Sequence, residues 1–378
     1  MSTDAPAATV AAAAARVATI DPGAYARSRN HLDGRVTGLS PYVTHGLLDL
    51  PAVLLQLRQR YTLHREHRLV QEFGWREFFQ HVWRHLDEAI FDDQRPPVYA
   101  GRYAQTLPED LLTASTGVPV IDQAVRQLYA TGHLHNHARM WLASYTVHLR
   151  KVHWRVGADW MVGHLLDGDL ASNHLSWQWV AGTFSVKPYL FNADNVARFA
   201  PAAWHAPDTV IDSSYDALDQ IARHSPDCGP EARRPAPVTP PPLLAAPAAI
   251  LPTPPALPGG ALEIVHPWSL GTPTSGRPAL ALLDAGFHRR FPWSARRWQF
   301  VTERLRALAL PMYLAEDSPA LLATAQGPLS FRASLNPGYR AWAALPGAEP
   351  VPVPRCFSDP DRLCTSFSRF IRQADLLL

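Results

Sequence analysis

The sequence predicts a multidomain chain, an all-α helical domain followed by a small C-terminal α/β domain, and three observations predict it. Apolar residues before about residue 225 recur at helical spacing, prolines crowd the stretch 226–260, and short apolar runs of strand length alternate with a helical pattern beyond it. The expected divisions are a flexible arm over 1–20, the helical domain over 21–225, a Pro-rich linker over 226–260 and the α/β domain over 261–378.

The opening run of alanines is interrupted by Arg16 and has no basic leader, so it reads as an arm or a first helix and not as a signal peptide. Trp75, Phe78, Phe79, Val82, Trp83 and Leu86 fall at i, i+3, i+4, i+7, i+8 and i+11, which predicts an amphipathic helix. Ile121, Ala124, Val125 and Leu128 repeat the pattern, and Met140, Ser144 and Val147 extend it less cleanly. The proline-dense stretch can sustain neither helix nor sheet and reads as a semi-extended linker or surface strap. Beyond it, LEIVHPW, ALALLDAG and LPMYLAED read as strands. Ser294 is the expected N-cap of a helix carrying Trp298, Val301, Leu305 and Leu308 on one face.

Bulk properties narrow the function classes. With 378 residues, 47% hydrophobic and 18% charged, the chain suits a globular protein and excludes wholesale disorder. A net charge of +2 makes no case for a strongly basic nucleic-acid binder. Most of the 17 histidines precede Asn195, so that half is expected to become basic below about pH 6.5. The 3 cysteines have no metal-ligand spacing, which points to a reducing, cytoplasmic setting. No apolar run is long enough to span a membrane.

Three stretches carry chemistry. In YARSRNHLDGRVTGLSPYVTHG, Ser40 followed by Pro41 reads as an N-cap and first helical position, and the Thr37 and Ser40 hydroxyls would complete an anion site. In LVQEFGWREFFQHVW, Glu72, Trp75 and Arg76 are expected on one helical face, able to grip a base-like ligand. An ordinary Glu–Arg pair beside a core tryptophan is the bland alternative. In DGDLASN, Asp167, Asp169 and Asn173 lie close together, and two aspartates flanking Gly168 need partners if buried. His133, His135 and His137 alternate, but at a helix start they would diverge, so no metal is expected.

Taken in order, these stretches, with TGVPVIDQAVRQL, HNHARM and NHLSWQW, resemble the FAD-binding domain of the DNA photolyase and cryptochrome family. The resemblance implies that Tyr25 and the loop Thr37, Gly38, Leu39 and Ser40 hold the FAD diphosphate, with Arg76 near the flavin. It places Asn136 on the adenine side, Arg139 by the isoalloxazine and paired with Asp167, and Gly168 and Asp169 along flavin and ribose. Asn173 would face flavin N5. Glu72, Trp75 and Met140 would meet a flipped-out pyrimidine dimer. Trp177 matches the flavin-proximal member of an electron-transfer chain and Trp154 the middle one. Leu111 stands at the distal position, so the usual route is cut unless Tyr103, Tyr145, Trp141 or Trp160 substitutes.

The implied activity is a DNA photolyase-type lyase, in which blue light drives an electron from reduced flavin to a pyrimidine dimer in DNA. The alternative is a cryptochrome-like photoreceptor that signals to a protein partner through the C-terminal region. The segments around residues 132–137 and 187–199 depart from the family pattern on the substrate side. Only about twenty residues precede the first motif, so the usual leading α/β antenna domain is not expected there. The stretch after 261 faintly resembles such a domain relocated.

Overall fold

The structure, a computed structural model, describes residues 6–248, 250–252 and 256–378. Thr9 caps a helix over Val10–Ala18 that buries Ala13 and Val17. The flexible arm is therefore corrected from residue 10 onward to a packed first helix, because small alanines let that helix sit close to the core. Residues 1–5 of the arm lie outside the described residues.

Four helices build the centre of the helical region: Arg68–Leu86, Asn136–Ser144, Trp154–His164 and Leu170–Ala181. The third of these contacts the fourth along its length. Each begins on a side-chain cap. His67, His135 and His153 accept backbone N–H groups of the first turn, and Asp169 accepts Ser172 N–H at 2.8 Å. Gly182, at φ 81°, ends the last helix in the left-handed conformation that glycine adopts without strain. The run after Asn136–Ser144 continues as a π turn over Tyr145–Leu149, which accounts for the less regular spacing of Met140, Ser144 and Val147.

The Pro-rich stretch is a strap bonded to the helical surface. Cys228, Glu231 and Val238 donate backbone N–H groups to the carbonyls of Leu149, Thr116 and Thr113, at 3.0, 2.8 and 2.8 Å. The expectation that this stretch sustains no sheet is corrected farther along, because a two-residue edge pairing needs few N–H donors: β1 (Leu243–Leu244) pairs antiparallel with β5 (Trp293–Ser294), and β2 (Leu251–Pro252) joins the edge of the main sheet.

The main sheet adds β3 (Leu262–Val265), β4 (Ala279–Asp284), β6 (Met312–Ala315), β7 (Leu329–Arg332) and β8 (Ala348–Val351), all parallel, in the order β2-β6-β4-β3-β7-β8. Omitting β2, this is the 3-2-1-4-5 order of a doubly wound sheet, whose ligand crevice lies at the carboxyl ends where the order reverses. Here that crevice is filled. His266 Nε2 lies 2.7 Å from the Arg332 carbonyl, and the rings of Trp268, Tyr339 and Trp342 stand around it.

The boundaries at 225 and 261 do not separate two cores. One buried cluster runs from Val53, Leu57 and Phe78 through Leu166 and Leu170 to Leu282, Trp298 and Phe370. A second lies wholly within the helical region and its strap, around Trp141, Trp154 and Trp177. Polar bonds cross the join as well. Glu77 accepts the N–H groups of Cys356 and Phe357 at 2.7 and 2.9 Å, and the His81 ring lies 2.7 Å from Asp359.

Candidate functional site

The four central helices and the loop 37–40 enclose a cavity of about 290 Å3, near the lower end of the range for ligand pockets. Tyr25, Thr37, Leu39 and Ser40 line it. Ser40 is not the cap expected of it. The short helix Ser40–Thr44 has Leu39 as N-cap and Pro41 in its second position, while Thr37 Oγ1 accepts Leu39 N–H at 3.4 Å. Gly38 adopts φ +64°, and a Cβ there would stand 3.1 Å from Arg16 Nε. Glycine suits the position because that torsion strains any L side chain.

Asp167 and Asp169 of the Asp167–Gly168–Asp169 bend also line the cavity. Arg139 Nη2 donates to both Asp167 oxygens at 2.9 and 2.8 Å, the pairing that the motif implied. Asp169 Oδ2 accepts Gln80 at 2.9 Å and Arg76 at 3.3 Å, and its other oxygen caps the following helix. Burial alone would raise the Asp167 carboxyl, but Arg139, with His133 and Arg76, outweighs it and holds the group below its usual range. Gln80 was missed in the sequence. It stands one helical turn after Arg76, and that spacing was the available signal.

Asn173 is a further lining residue. Its Nδ2 donates to the Ala158 carbonyl at 2.9 Å, and since a carbonyl can only accept, the amide orientation is fixed. The Asn173 oxygen is left as a cavity-side acceptor. Beside it, the Ser172 hydroxyl is buried without a partner in the structure. A buried hydroxyl with no partner is costly, and a polar ligand would satisfy it. Cationic, hydroxyl and amide groups thus converge on an otherwise apolar chamber walled by Leu50, Phe73, Met161 and Val180. A flat heterocycle bearing phosphates matches this set of donors and acceptors, so the residues present fit FAD.

Glu72, Asn136 and Met140 line the cavity as well, and Glu72 pairs with Arg29 at 3.3 Å. Trp75 departs from the expectation that it shares their face. Its ring stacks on Phe367, centroids 4.1 Å apart and 12° from parallel, and also packs on Phe78 and Phe79. The residues that face the cavity from this helix are Leu69, Glu72, Phe73, Arg76 and Phe79, and Trp75 is turned toward the C-terminal helix Phe367–Gln373 instead. The three-residue step rotated it past the edge of the cavity-facing stripe, where an apolar partner was waiting.

Trp177 lines the cavity, and Trp154 does not. Trp154 is buried, donates Nε1–H to Asp93 at 2.5 Å, and shares a small adjoining pocket with Tyr103. Leu111 is fully buried in the helical core. His135 and His137 are held neutral to about pH 4, chiefly by burial, and His45, His148 and His164 likewise to about 3, 4 and 4. The expected surge of positive charge below pH 6.5 is therefore cut back at these five rings, because burial disfavours their charged form. Among the described residues no group of three His, Cys, Asp or Glu side chains is placed to hold a metal.

Residues 69–203, which hold most of this site, match the FAD binding domain of DNA photolyase. This region belongs to the photolyase/cryptochrome family. The deoxyribodipyrimidine photo-lyase of Streptomyces griseus is 35% identical over 160 residues, 42% of this chain and 35% of that one. The deoxyribodipyrimidine photo-lyase of Thermus thermophilus is 34% identical over 161 residues, 42% of this chain and 38% of that one. The family match thus spans little more than a third of these relatives' length. Among solved structures, a Synechocystis cryptochrome is 21% identical at a TM-score of 0.48, covering 61% of this chain and 56% of that one. A class III photolyase from Agrobacterium tumefaciens is 24% identical at a TM-score of 0.44, covering 56% and 54%. The photolyase-family region is joined, later in the chain, to the parallel six-stranded α/β region.

Proposed function

We propose that the protein binds FAD in the helical cavity and uses light to repair pyrimidine dimers in DNA. The single observation behind this reading is the free oxygen of Asn173 in a chamber that hydroxyls and cations also line. When bound, FAD would supply light-driven electron donation. Thr37, Ser40 and Tyr25 would hold its diphosphate. Arg139 and Arg76, each tied to an aspartate, would offer positive charge that favours an electron-rich flavin. The Asn173 oxygen would accept a hydrogen bond from the cofactor. Glu72 and Met140, which also line the cavity, would receive the extruded dimer. Trp177 borders the cavity as an electron relay.

The test is a dimer-containing oligonucleotide incubated with chemically reduced protein, in darkness and under blue light. Loss of dimer only in the light supports repair. Persistence of the dimer in both arms, with the protein yellow, rejects it.

A second reading, a photoreceptor or regulator acting through a protein partner, is favoured by the burial of Trp75 against Phe367. The aromatic platform implied for a dimer is already covered by the C-terminal helix. In this reading the same helix carries the light response outward. A Phe367→Ala variant that gains dimer binding would favour repair, whereas unchanged dimer binding favours the photoreceptor.

A further inference from the structure

Arg297 is the least expected charge in the molecule. It sits in the first turn of the α/β helix Ala295–Ala307, where the helix dipole opposes a cation, and only 1% of it is exposed. Among the described residues no carboxylate is hydrogen-bonded to it. Nη1 donates to the Val162 carbonyl at 3.0 Å and Nη2 to the Gly168 carbonyl at 2.6 Å, while Nε has no partner among them. Its guanidinium lies over the Trp293 ring, 3.9 Å from the centroid. A side chain at residue 168 would meet Arg297 Nη1 at 2.4 Å, so the motif glycine leaves room for this cation.

A buried cation with so incomplete a set of partners is costly, and a shape-matched apolar residue would fill the space at less cost. The charge must be compensated at longer range. The groups that do so are Asp167 and Asp169, which raise its affinity for the proton, while burial pulls the other way and the net result is about 9. Arg139, Arg76 and Gln80 grip these two carboxylates from the helical region, and Thr44 Oγ1 meets the Asp167 carbonyl at 3.3 Å.

We infer that Arg297 is a positioning residue of the FAD site, supplied by the α/β region: it fixes the Asp167–Gly168–Asp169 bend from behind and sets the electrostatic potential felt by the cofactor. The α/β region is then a structural part of the redox site. The redox half of this inference rests on FAD occupying the cavity; the electrostatic half does not.

The test compares Arg297→Met, which keeps volume and loses charge, with Arg297→Lys, which keeps charge. In cofactor-free protein, carbon NMR of the aspartate carboxylates follows the Asp167 titration. In protein loaded with FAD, spectroelectrochemistry gives the midpoint potential, and titration gives the dissociation constant. The expected result for Met is an upward shift of the Asp167 titration, a more negative potential and about tenfold weaker FAD binding. Lys restores the potential toward the parent value. Arg297→Gln, which also loses the charge and keeps an amide donor toward the two carbonyls, shifts the potential in the same direction, and it stands in if the Met variant does not fold. The inference is overturned if Met, or Arg297→Gln in its place, lowers thermal stability while the Asp167 titration and the potential stay at their parent values. Failure of the parent protein to bind FAD would reject the cofactor reading alone, since the Asp167 titration still decides the role of Arg297.

Discussion

The helical region and the α/β region each have a place where folds of their kind hold a ligand, and the two places differ. Between the central helices, polar groups border open space: the Asn173 oxygen, Thr37, Ser40, Arg76 and Arg139. At the reversal of the parallel sheet, His266, Trp268, Tyr339 and Trp342 pack against one another and fill the crevice. A fold class marks where a site can form, and side-chain volume decides whether it does. The lesson extends to Arg297, through which the filled region braces the open one.

Acid should produce the largest effect and should strike both regions alike. His45, His148, His164 and His266 have folded-state values near 3, 4, 4 and 4, below the unfolded value. A depressed histidine means that the unfolded chain binds the extra proton, so stability is fully present above about pH 6.5 and is lost as pH falls toward 4. Each ring contributes a slope of up to about 1.4 kcal/mol per pH unit, measurable by urea denaturation. A flat profile between pH 6.5 and 4.5 would show that these rings are not buried as neutral groups.

Truncation should separate the regions. Trp342→Ala removes a fully buried ring from the filled crevice and should cost about 3–5 kcal/mol, whereas Phe73→Ala enlarges a space already present and should cost less. Equal losses, read from denaturant midpoints, would break the contrast. Next, Asp167→Asn discharges the partner of Arg139 and should weaken FAD binding by about tenfold to a hundredfold, roughly 1.4–2.8 kcal/mol, by fluorescence titration. Smallest is Phe367→Ala, which uncovers Trp75 and should cost about 1–2 kcal/mol with a red shift of tryptophan emission.

Much of the cavity was legible in the sequence because its residues sit in short segments whose spacing is local. Asp167 and Asp169 called for partners, and Arg139, Arg76 and Gln80 supply them. The strands β3, β4 and β6 and the Ser294 cap were legible from the same local cues. The strand β8, reading AEPV, was not, since its side chains are mostly exposed and proline argues against a strand. Contacts that join distant parts of the chain left no local trace. The Phe367 cover on Trp75, the Glu77 bonds to Cys356 and Phe357, and the reach of Arg297 to Gly168 all depend on tertiary packing. The neutral histidines belong with these, because burial, and not spacing, sets their charge.

FAD uptake by the helical cavity, lined by the Thr37–Ser40 loop and the aspartate bend, decides the proposed function. It is measured by equilibrium titration of cofactor-free protein with FAD, followed by flavin fluorescence. Saturable uptake of one FAD per chain is expected, weakened in the Asp167→Asn variant and retained in Phe367→Ala. A parent protein that stays colourless and takes up no FAD would contradict it.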